Sequence, residues 1–166
     1  MAAKDRLEQF LEEHGDKVLV DPKLWESVKK DNRWYSVFFQ DITLDWMLVA
    51  IIERTGLRRG KELKTLMYSI NIVQKAKLAY CLGIINKTTI DDLEHIHEIR
   101  NIFAHNYKAS FANTKVLKHV RKLSTAKGQE VTEKNSYKFY SDATTNCLDI
   151  IDAQYKKQTM KGTQKG

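Results

Sequence analysis

The residues best suited to chemistry lie between Leu93 and Tyr107, in the run LEHIHEIRNIFAHNY. Wound at about 100° per residue, this run sorts into two faces. Leu93, Ile96, Ile99, Ile102 and Phe103 gather on one, which must be the core side. Glu94, His97, Glu98, Asn101 and His105 gather on the other, with Arg100 at the border. A histidine gives or takes a proton near neutral pH. An arginine presents a fixed cationic fork to phosphate oxygens. An asparagine orients either partner. That set suits phosphodiester chemistry, and where the substrate is RNA its own 2′-hydroxyl serves as nucleophile, so no metal is required in principle. The catalytic candidates are therefore Arg100, His105 and Asn101, with Glu98 as an accessory carboxylate. Asn101 and His105 are four apart and should be neighbours. Arg100 and His105 are five apart, so a dimer or a bend must bring them to one phosphate. The same residues also suit a solvated helix face, with Arg100 paired to a carboxylate and His105 capping the helix end.

The elements that must position these residues are helical. Proline occurs once, at Pro22, glycine is sparse, and no segment alternates long enough for a sheet. The pattern predicts an all-α bundle of about five or six helices. Helices are expected at 3–14, from Pro22 to about Lys30, and at 33–55. The third carries Phe38, Ile42, Trp46, Val49 and Ile52 and belongs at the bundle centre. Arg54 to Lys64 reads as a basic loop. A helix follows over Ile70–Ile85, with Gly83 at a close contact or near its end. Thr88 or Thr89 should cap the motif helix, which runs to about His105. A short helix is expected at 114–123, a turn at Gly128, and a last helix from Ser136 to about Lys157. The expected organisation is one domain over 1–157 and a disordered basic tail over 158–166.

Composition narrows the setting. Two cysteines, Cys81 and Cys147, are too few for a disulfide framework and read as buried thiols of a reducing cytosol. The longest apolar run, Trp46 to Ile52, is too short to span a membrane, and the start of the chain is charged and unlike a signal peptide. A cytoplasmic location is expected. The net charge of +7 is uneven. Only 7 of the 28 basic residues, but 11 of the 21 acidic ones, lie at or before Glu53, leaving the remainder strongly positive. Arg58, Arg59, Lys61, Lys115, Lys118, Arg121 and Lys122 are the candidate RNA-binding residues on that basic part. No cofactor is expected. Glu94-x-x-His97 has the spacing of a di-iron half-site, but no second such pair exists and no metal is expected. Trp34, Tyr35, Phe38, Phe39 and Trp46 suit a core and a dimer interface better than a base-stacking platform. The basic residues of 114–123 lack the preceding partner helix of a helix-turn-helix.

The segment Arg100-Asn101-Ile102-Phe103-Ala104-His105 resembles the Arg-x4–6-His motif of the HEPN superfamily. With Tyr107 it also resembles the toxins of that superfamily that pair with a nucleotidyltransferase antitoxin. Lys75 to His105 is similar to the mannitol operon repressor family, where a Leu-Gly-Leu/Val-Ile turn precedes an acidic helix ending in Arg-Asn-x-x-x-His. Here the turn reads Leu82-Gly83-Ile84-Ile85. The resemblance spans residues 36–123 and is strongest over 75–113. It implies a homodimer with two motifs facing one cleft, and metal-independent RNA cleavage as a toxin or phage-defence effector. Arg100 would steady the phosphorane, His105 would act as acid or base, and Asn101 would orient them. Asp45 resembles an acidic position on the earlier helix, and Tyr107 a site of modification by an antitoxin. The mannitol repressor relatives imply the alternative, a non-catalytic transcriptional regulator acting through protein partners.

Overall fold

The structure, a computed structural model, describes residues 32–55, 60–106 and 108–163. The two helices expected before residue 31, together with Arg58, Arg59 and Tyr107, lie outside the described residues. Among those described, the chain is all-α, with six α-helices, one 3-10 turn and no strand. The helices are α1 (Asn32–Ile52), α2 (Lys61–Ser69), α3 (Ile72–Cys81), α4 (Lys87–His105), α5 (Thr114–Val120) and α6 (Ser136–Thr163).

Helix α1 is long because nothing in its 21 residues breaks it. Its buried stripe runs through Trp34, Val37, Asp41, Leu44, Leu48 and Ile51, at spacings of three and four, with Phe38 buried beside it. Trp46 is two residues from both Leu44 and Leu48, and so falls on the opposite side. It is 56% exposed, where the sequence had grouped it with the helix's apolar surface. Phe39 is exposed as well.

Helix α2 corrects the sequence reading, which placed a basic loop up to Lys64 and assigned no element before Ile70. Its apolar residues Leu63, Leu66 and Met67 sit at helical spacing, and Met67 is buried. Helix α3 begins two residues after the expected Ile70 because Asn71 forms a capping box with Gln74, each side chain bonded to the other's backbone N–H at 2.9 Å. Past its last residue, Cys81, and its cap, Leu82, the chain turns at Gly83, whose φ of +70° only glycine adopts freely. There the Ile84 N–H bonds to Ala79 O and the Gly83 N–H to Tyr80 O, a Schellman closure. Cys81 is exposed and not buried as expected, because it lies about 200° around the helix from buried Ala79. Cys147 is buried, and burial pushes its thiol pKa up to about 12.

Helix α4 packs against α1, α3, α5 and α6. Its cap is Asn86, whose side chain accepts from the Thr89 N–H at 2.9 Å, so Thr88 and Thr89 fall inside the first turn. Leu93, Ile96, Ile99 and Phe103 are fully buried, as their spacing predicts. Phe103 meets Trp34 edge-on at 4.8 Å and Phe111 at 5.3 Å. Trp34 in turn donates its indole N–H to Ala109 O at 3.1 Å. These contacts fix the end of the motif helix against α1. After α5, buried Asp92 accepts the Ser124 N–H at 2.7 Å and holds the 3-10 turn Ser124–Ala126. Gly128 makes the expected turn with φ +75°. Helix α6 buries Tyr140, Ala143, Cys147 and Ile151 and runs on to Thr163, past the expected end near Lys157. The sequence Lys-Lys-Gln-Thr-Met-Lys holds no helix breaker, which accounts for the extension. Among the described residues, no helix is long and apolar enough to cross a membrane.

Candidate active site

A cleft of about 680 Å³ opens between α1, α2, α3 and α4. Its polar wall is built from two carboxylates one helical turn apart on α1, Asp41 and Asp45. Each holds the basic group of another helix. Asp45 accepts both its bonds from Lys75 of α3, at 2.7 Å. Lys75 is buried although it carries an ammonium group, and this bidentate pair is what makes its burial tolerable.

Asp41, 7% exposed, serves α4 with both oxygens. Its Oδ1 lies 3.2 Å from His97 Nδ1 and its Oδ2 3.6 Å from Arg100 Nε. His97 and Arg100 are three residues apart, so one carboxylate reaches both. The negative charge of Asp41 is felt across the core, where it adds to burial in pushing the Tyr140 phenol well above its ordinary pKa. Arg100 Nε is buried and has no hydrogen-bond partner, because 3.6 Å is an ion-pair distance and too long for a bond. Its Nη1 reaches Asn101 Oδ1 only weakly, at 3.4 Å. The guanidinium also lies 5.3 Å over the Phe38 ring.

The candidates named from sequence are only partly brought together. Arg100 and Asp45 line the cleft. Asn101 touches Arg100 but does not line it. His105 is exposed in the last turn of α4 and lies outside the cleft wall. The helix is unbroken between Arg100 and His105, so no bend turns them toward each other within one chain. Glu98 is exposed, and its charge acts on His119. The acidic partner of the motif is Asp41, one turn before Asp45. Asp41 and His97 carry the site and were missed as site residues. The available signal was an i, i+4 carboxylate pair in an otherwise apolar helix, facing an i, i+3 His–Arg pair.

Nor do the basic candidates form one surface with the cleft. Lys61 is exposed at the start of α2. Lys115 and Lys118 on α5, and Arg121 and Lys122 just after it, are exposed and do not line the cleft. Helix α5 packs on the flank of α4 that carries His95, about 200° around from His97. The cleft itself is near neutral, with Lys64, Lys75 and Arg100 opposed by Asp41, Asp45 and Glu53. Among the described residues, no three histidine, cysteine, aspartate or glutamate side chains are grouped to hold a metal ion.

His95 and His119 meet on that far flank with their Nδ1 atoms 3.4 Å apart. Burial lowers the pKa of both, the Lys122 charge lowers His95 further, and the two rings oppose each other's protonation. The unfolded chain therefore binds more protons than the folded one below about pH 6.5. Stability from this pair is complete above that pH and declines as pH falls through the depressed folded values. The melting temperature should drop between about pH 7 and 5, and the drop should shrink in His119→Gln. An equal drop in that variant would remove the pair as its source.

No protein-family model, no curated protein and no solved structure matches the chain.

Proposed function

We propose that this domain cleaves RNA without a metal ion, with Arg100 as the group that takes the scissile phosphate. The observation that carries this reading is the setting of Arg100. Its guanidinium stands in a cleft wall next to a histidine, charge-paired but not hydrogen-bonded to Asp41. An arginine that its carboxylate holds by charge, and whose hydrogen bond is the long 3.4 Å one from Nη1 to Asn101 Oδ1, can turn its fork onto phosphate oxygens, which it grips in bidentate fashion. The resemblance of Arg100–His105 to the HEPN motif points to the same chemistry. So does the excess of positive charge beyond Glu53, which would draw a polyanion to the domain. A homodimer and an antitoxin or other protein partner belong to this proposal through the same resemblance.

The test is a single-stranded RNA oligonucleotide incubated with purified protein in EDTA. Cleavage should proceed and leave 2′,3′-cyclic phosphate ends, because the nucleophile is the substrate's own 2′-hydroxyl. Replacing that hydroxyl by hydrogen at the cleaved position should abolish the reaction. A second reading, the non-catalytic regulator, is favoured by the exposure of Trp46 and Tyr68 at the same cleft, 56% and 82%, since exposed aromatics suit a protein partner. Intact RNA after long incubation with the wild-type protein would give that reading first place.

A further inference from the structure

We propose that His97, oriented by Asp41, is a proton-transfer residue of this cleft. This inference rests on the RNA-cleavage reading for its substrate. The ionised Asp41 carboxylate only accepts, so the His97 Nδ1 facing it at 3.2 Å must carry the ring's proton. Nε2 is then the basic nitrogen, and it makes no hydrogen bond among the described residues. His97 lines the cleft, with its side chain 17% exposed, enough for contact with a ligand and too little for free rotation. Asp41 thus does three things. It selects the tautomer, fixes the ring plane, and offers a negative charge to the imidazolium that forms when Nε2 takes a proton. Because its other oxygen faces Arg100, base and phosphate anchor are set in register by a single buried side chain.

His105 has none of these features. It is exposed, lies outside the cleft wall and shares no carboxylate with Arg100. The reaction balances on His97 alone. Nε2 takes the proton of the 2′-hydroxyl as the 2′-oxygen–phosphorus bond forms. The phosphorus–5′-oxygen bond breaks, and the 5′-oxygen leaves with a proton from water. The imidazolium then returns its proton to the resulting hydroxide. Asp41 is a positioning residue throughout.

The experiment compares His97→Asn, Asp41→Asn and Asp41→Glu with wild type. Asparagine at 97 places an amide nitrogen near the former Nδ1, so it can keep a bond to Asp41 while removing proton transfer. Cleavage should fall roughly 10²–10⁴-fold with little change in melting temperature. Asp41→Asn should lower kcat with little change in KM, and Asp41→Glu should restore part of it, a pattern that loss of a purely structural contact would not produce. Cleavage at the wild-type rate in His97→Asn would overturn the assignment. A second readout separates this inference from the one beneath it. Inorganic phosphate should shift the ring-proton NMR signals of His97. If wild type cleaves no RNA but His97 responds, the nuclease reading fails and the His97 anion site stands. If phosphate leaves His97 unmoved, the inference itself fails.

Discussion

Arg100→Ala should lower the rate of RNA cleavage by roughly 10²–10³-fold, the usual effect of removing one preorganised donor from a developing charge. The loss should appear in kcat more than in KM, because the charge it stabilises is greatest in the transition state. The fold should survive. Arg100 lies at the edge of the apolar face of α4, its Nε makes no hydrogen bond, and its main apolar contact is the Phe38 ring at 5.3 Å. Its removal leaves Asp41 still facing His97 at 3.2 Å, so the buried carboxylate keeps a partner. Arg100→Lys is the informative companion. Lysine restores the charge without the planar fork, so partial recovery would assign the remainder to bidentate geometry. Full activity in Arg100→Ala would remove this side chain from the chemistry, whatever the fate of His97.

The parts of the molecule legible in the sequence were those written as periodicity. On α4, the order Leu93, Ile96, Ile99, Phe103 named the buried face without help from any tertiary contact. The start and end of α6's packing stripe, Tyr140 to Ile151, were equally plain. What stayed hidden depended on rotation and on partners. Trp46 looks like core because it is large and apolar, yet two residues separate it from Leu44 and from Leu48. Helix α2 was masked by its lysines, although Leu63, Leu66 and Met67 already had helical spacing. Asn71 and Gln74 carried a capping box that separates α2 from α3. The site suffered most from reading one helix alone. Periodicity placed His97 and Arg100 near one another, but only the approach of α1 supplies Asp41. A motif defined by sequence spacing drew attention to His105, whereas the carboxylate that organises the cleft lies 56 residues before His97.

The pair beside that site should behave asymmetrically when broken. Asp45→Ala is expected to destabilise the domain by roughly 3 kcal/mol, at the low end of the effect of stranding a buried charge. The reason is the unequal burial of the two partners. The Lys75 side chain is 7% exposed and that of Asp45 is 28% exposed. Without Asp45 the ammonium has lost both its bonds and most of its access to water, so it must either shed its proton or pull away from Ile72, Ala76 and Ala79 on its own helix's buried face. Without Lys75 the carboxylate can turn to solvent, and Lys75→Met should cost little, since methionine fills the same space with no charge to solvate. A loss of about 3 kcal/mol corresponds to a fall of roughly 10 °C in Tm for a chain of this size. The double variant Asp45→Leu with Lys75→Met should return close to the wild-type Tm, because a buried ion pair seldom outperforms an apolar replacement of similar volume. Such a variant would retain Asp41, His97 and Arg100 while removing the second charge pair from the cleft wall. Its cleavage rate therefore separates the two pairs. Activity near wild type assigns the chemistry to the Asp41 set alone, and a loss as large as that of Arg100→Ala would bring Lys75 into contact with the substrate. Equal destabilisation by Asp45→Ala and Lys75→Met would contradict the burial argument, since it would mean that either charge left behind is equally short of water.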